Sequence, residues 1–177
     1  MKKSLCKVVF ALILCVFLAT SCSKKKEEQA PALDLTITQS DIMLLIEHKK
    51  MIDNITSEYD KKISEAEPSA AYKFIEEGKG RINQYLESKG LKPEVFMKKS
   101  KKILKCYLAF NEISEETKQK RIEILKKNDT SDRDLEIKMK AYEKAGEAFF
   151  KEMTSGLSEK EIELVKSNLK NIAEVTE

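Results

Sequence analysis

Of the 177 residues, 41% are hydrophobic and 36% charged, with five Gly, three Pro and no Trp, a balance that excludes a collagen-like or low-complexity chain and favours helix. The net charge of +3 arises wholly in the first 21 residues, which hold Lys2, Lys3 and Lys7 and no acid. Taking those three from 33 basic residues leaves 30 against 30 acidic, without the Lys and Arg excess that binds phosphates, so no nucleic-acid partner is expected.

In chain order, the three lysines form a positive start, and Val8 to Ala19 is an apolar run of twelve residues. A membrane-spanning helix needs roughly 18 or more apolar residues, so the run is too short to span. A basic start, an apolar run and then small residues mark a secretory signal peptide. At its end, Leu18-Ala19-Thr20-Ser21-Cys22 resembles the lipobox of bacterial lipoproteins, although Leu18 stands one residue earlier than the usual pattern has it. The resemblance implies removal of residues 1–21, acylation of Cys22 and attachment to the cell envelope through lipid. Ser23 in place of an inner-membrane retention Asp implies the outer membrane. Ala19-x-Ser21 also fits ordinary signal cleavage, which cuts the same bond and leaves no lipid. Cys6 and Cys15 depart with the signal, so Cys106 has no partner for an intramolecular disulfide once Cys22 is acylated.

Residues 22–39 read as a lipidated N-terminus and flexible tether, with a charge cluster, one Pro and no sustained period. Residues 40–177 read as one all-α domain, a small bundle of about five amphipathic helices. The first runs from near Ser40 to Ala66 on the stripe Ile42, Leu45, Ile46, Ile52, Ile55, Tyr59 and Ile63. Pro68 is expected to end it and Ser69 to cap the second, which carries Ala71, Phe74, Ile75, Gly78, Ile82, Tyr85 and Leu86 and stops at Gly90. Gly78-Lys79-Gly80 weakens its middle and makes a kink plausible there. Pro93 opens the third helix, which continues through Phe110 to Leu125, with a break expected where the period lapses around Ser114. Leu135, Met139, Tyr142, Gly146, Phe149 and Met153 define a fourth helix, entered by a weak capping box at Ser131 and Asp134. Ser158 to Glu161 caps a fifth that bears Ile162, Val165, Leu169 and Ile172.

The richest local signal is LKPEVFMKKSKKILK, residues 91–105, with six Lys and one Glu. At roughly 100° per residue, Lys98, Lys101, Lys102 and Lys105 share one face, opposite Phe96, Ile103, Tyr107 and Phe110. The ridge reads first as a solvated face, and second as a contact for an anionic surface. His48, the only histidine, reads as a surface or boundary residue because no second ligand is suitably spaced for a metal site. Cys106 reads as a small apolar filler beside the buried stripe. DRDLEIKMKAYE, residues 132–143, imitates a calcium loop but has Ile137 where the turn demands Gly. Gly78-x-Gly80 lacks the context of a nucleotide loop. The aromatics read as core before they read as a ligand pocket.

No catalytic constellation, metal site or cofactor is expected. The chain reads as a non-enzymatic interaction or structural module, with a periplasmic carrier of an apolar small molecule or lipid in an inter-helix cavity as the alternative and an enzyme using His48 or Cys106 as a third. The expected attachments are the membrane, through the N-terminal lipid, and an unidentified protein partner.

Overall fold

A computed structural model describes residues 33–128 and 131–176, so the signal segment and Cys22 lie outside the described residues. Among the described residues seven helices follow one another: α1 (Gln39–Glu65), α2 (Pro68–Ser88), α3 (Pro93–Glu112), α4 (Glu115–Lys127), α5 (Asp132–Met153), α6 (Glu159–Ser167) and α7 (Leu169–Thr176). The described residues contain no strand, as the periodicity requires for an all-α chain.

Seven rather than five arise because two of the expected helices break. At Ser114 the hydroxyl accepts from the Thr117 N–H at 3.2 Å and donates to the Asn111 carbonyl at 2.8 Å, ending α3 and capping α4 together. At Asn168 the side-chain amide donates to the Leu164 carbonyl at 2.8 Å, replacing a backbone bond and separating α6 from α7. One boundary also shifts. Pro68 does not end a helix but begins α2, with Glu67 as an extended N-cap, because a missing N–H is harmless in a first turn. α2 then runs unbroken through Gly78-Lys79-Gly80, and Gly90, with φ of 73°, takes the left-handed backbone that terminates it.

Contacts divide the chain into two units, Lys50–Pro93 in one and Leu35–Lys49 with Glu94 onward in the other. In the first, Ile52, Ile55 and Tyr59 of α1 and Ile82 and Leu86 of α2 are buried. Gly78 allows the two helices to approach, since a Cβ there would sit 3.1 Å from Tyr59 Cγ, whereas one at Gly80 would meet nothing within 4 Å. Gly80→Ala is therefore expected to stabilise by about 1 kcal/mol through helix propensity. Gly78→Ala, crowding the ring, is expected to destabilise by about 1 kcal/mol; urea midpoints of the two variants check the opposite signs. One carboxylate oxygen of Asp60 is buried with no hydrogen-bond partner among the described residues, and burial pushes its pKa up.

The second unit is a helical bundle around Ile37, Ile42, Leu45, Ile103, Cys106, Tyr107, Val165 and Ile172. These come from α1, α3, α6, α7 and the extended segment before α1; α4 and α5 contribute none. α4 has no buried residue, and α5 buries only Gly146 along 22 residues.

Candidate functional site

The bundle has two places with chemistry beyond packing, and the first lies where the chain enters it. Thr38 and Asp41 form a reciprocal cap on α1: the Asp41 carboxylate accepts from the Thr38 N–H at 2.8 Å and from its hydroxyl at 2.6 Å. Lys99 of α3 donates to the same carboxylate at 3.0 Å. Burial raises the Asp41 pKa, but the Thr38 hydroxyl, Lys99 and the Thr38 N–H outweigh it and hold the group below its ordinary value. Just before the cap, the Ile37 N–H donates to Glu161 of α6 at 2.8 Å, and Lys102 of α3 donates to the Leu35 carbonyl at 3.1 Å. Ile37 is itself buried, and Gln39 exchanges amide hydrogen bonds with Asn168 at 3.1 Å. Residues 35–38 thus form a strap fastened by α3 and α6.

That arrangement sorts the predicted lysines. Lys102 fastens the strap and lies near the Glu161 charge. Lys98 is exposed and donates to Glu94 at 2.6 Å within its own helix. Lys105 is exposed and Lys101 half-buried, and neither has an ion-pair partner among the described residues. Lys99, outside the predicted set, is the lysine paired to α1. The T-x-x-D spacing of Thr38 and Asp41 was the available sequence signal for this corner. Nothing local to Ile37 or Glu161 signals their contact.

His48 departs from the expected surface or boundary position. It is 3% exposed and meets Phe96 edge-on, with ring centroids 6.2 Å apart, because it falls one turn from Leu45 and from Ile52 on the buried stripe of α1. Cys106 is the expected filler: fully buried, with burial pushing its thiol up to about 11, so it stays protonated at neutral pH. Residues 132–143 are helical from Asp132 onward, capped by the Ser131 hydroxyl, and so form no calcium loop. No cluster of three or more potential metal ligands occurs among the described residues.

The second place is a cleft of about 500 Å³ formed by the end of α3 with α4 and α5. Ile113, Met139, Tyr142, Gly146 and Phe150 supply its apolar lining, and Glu112, Lys118, Arg121, Glu143 and Glu147 its charged lining. Gly146 lets α5 come close to Ile113, since a Cβ would stand 3.3 Å from Ile113 Cγ2. Phe150 packs edge-on against Phe110 at 5.1 Å, joining α5 to α3. Arg121 pairs with Glu112 and lies over the Tyr142 ring, 4.8 Å from its centroid. Lys118 bridges Glu115 at 3.1 Å and Glu143 at 3.7 Å. The cations lining the cleft are therefore engaged by carboxylates, while Tyr142 remains 41% exposed.

Compared with protein-family models, curated proteins and solved structures, the chain matches none.

Proposed function

We propose that the chain is a lipid-anchored protein of the bacterial cell envelope, acylated at Cys22, sorted to the outer membrane, and acting as a non-enzymatic interaction module. The anchor reading is supported by the signal-like start and by Leu18-Ala19-Thr20-Ser21-Cys22. The interaction reading is carried by α5, whose apolar stripe runs the length of the helix while only Gly146 is buried. A helix whose apolar sector is only half covered, with Tyr142 and Phe149 exposed in it, suits a partner. The cleft beside it, apolar in its floor and charged at its edge, suits an amphipathic helix of a second envelope protein laid against α4 and α5.

A cleft of this volume also lies in the range of small-molecule sites, which favours an apolar-ligand carrier as the second reading. Half of its lining is charged, a poor match for a wholly apolar guest. Placing a photo-crosslinking residue at Tyr142 in living cells separates the two. A discrete protein adduct, absent when the same probe replaces Lys140 on the other side of α5, is the expected result. An adduct of lipid mass would support the carrier instead, and no adduct at all would remove both.

A further inference from the structure

We infer that the outward face of α3, bearing Lys98, Lys101, Lys105 and Leu108, rests on the anionic phospholipid headgroups of the membrane that holds the anchor. The inference builds on acylation at Cys22 and adds a second contact to it.

The strap carries the argument. Lys102 holds the Leu35 carbonyl, so the chain coming from Cys22 enters the bundle on α3 itself. Eleven residues lie between Cys22 and Asp34, a span of at most about 43 Å when fully extended. Lys98 lies four residues before Lys102 and Lys105 three after it, within about 6 Å along the helix axis. The basic face therefore lies close to the point of attachment, and the tether brings that face within reach of the bilayer.

The charges on that face suit the same surface. Between Glu94 and Glu112 the helix has five lysines and no acid. Lys99 and Lys102 are committed to Asp41 and the strap, which among the described residues leaves Lys101 and Lys105 without an ion partner and Lys98 in an exposed pair with Glu94. An exposed intrahelical pair is weak enough to open toward phosphate. Leu108, one turn beyond Lys105, is 51% exposed, an apolar side chain placed among cations as interfacial helices place them. Lipid chains and a basic patch are the two signals that together fix a protein on a membrane surface.

The test uses the full acylated protein in vesicles of neutral phosphatidylcholine, with or without about 30% phosphatidylglycerol. Flotation with neutral vesicles reads the anchor alone. Labelling by an amine-reactive reagent, measured peptide by peptide, reads the face, with the exposed Lys144 as reference. Labelling of Lys101 and Lys105 is expected to fall about fivefold or more in anionic vesicles, and to recover at about 0.5 M salt. Charge reversal by Lys101→Glu with Lys105→Glu is expected to remove the protection of Lys98 while flotation persists. Equal labelling in both vesicle types would overturn the contact even if the protein floats. Protection in anionic vesicles by a protein that fails to float on neutral ones would uphold the face and overturn the anchor.

Discussion

Cys22→Ala is expected to move the protein almost completely from the membrane fraction to the soluble fraction. A diacylated cysteine contributes two long chains at about 0.8 kcal/mol per buried methylene, so attachment through it is stable, whereas a single myristoyl chain gives only marginal binding. The variant retains Ala19-x-Ser21, so export and ordinary cleavage continue and the change reports the lipid alone. The basic face of α3 predicts what remains: a small membrane-bound fraction that salt releases. If the unaltered protein already behaves as soluble, and Cys22→Ala changes nothing, then ordinary cleavage is the correct reading of the same bond. The mass of the mature N-terminal peptide decides the matter independently.

The helices were legible because their apolar residues recur at three and four positions, and α1 shows how far that carries. Ile42, Leu45, Ile52, Ile55 and Tyr59 are all buried as the stripe requires. The same rule extends to His48, which stands one turn from Leu45 and from Ile52 and is buried with them, a position that the absence of a second metal ligand says nothing about. Boundaries were less legible where a side chain competes with the backbone, as Asn168 does, since the apolar period of α6 and α7 continues across the break. Periodicity also identifies the face that would be buried without stating how much chain is present to cover it. For that reason Leu135, Met139, Tyr142, Gly146 and Phe149 read as core, while α5 in fact buries only Gly146. The basic ridge was visible as a ridge. Its division into structural and exposed lysines depends on Asp41, Leu35 and Glu161, the last fixed 124 residues away from Ile37.

Glu161→Ala is the substitution expected to weaken the bundle most for a charged residue, because one carboxylate serves two parts of it. Its oxygens accept from the Ser158 N–H at 2.8 Å and hydroxyl at 2.7 Å, completing the cap of α6, and from the Ile37 N–H at 2.8 Å, holding the strap. Loss of a cap costs about 1 kcal/mol, and a buried N–H left without an acceptor costs about 1–3 kcal/mol. A total near 3 kcal/mol is therefore expected in urea unfolding. Ser158→Ala, which leaves the strap intact, is expected to cost about 1 kcal/mol. Equal losses from the two would show that the strap bond contributes nothing. Burial raises the Glu161 pKa, but the Ser158 N–H, the Ile37 N–H, the Ser158 hydroxyl and Lys102 outweigh it, leaving the group below its ordinary value of 4.5. A depressed carboxylate stabilises the fold above its unfolded pKa, so this contribution is complete above pH 4.5 and is lost as pH falls through the folded value. Asp41, shifted the same way, adds to the same acid slope. Glu161→Gln is expected to flatten that slope and to shorten the exchange lifetime of the Ile37 amide. Release of residues 35–38 would add about 14 Å to the tether. The basic face of α3 would then no longer be fixed where the anchor meets the bundle, so acid or Glu161→Gln is expected to weaken its contact with anionic lipid while the lipid anchor holds.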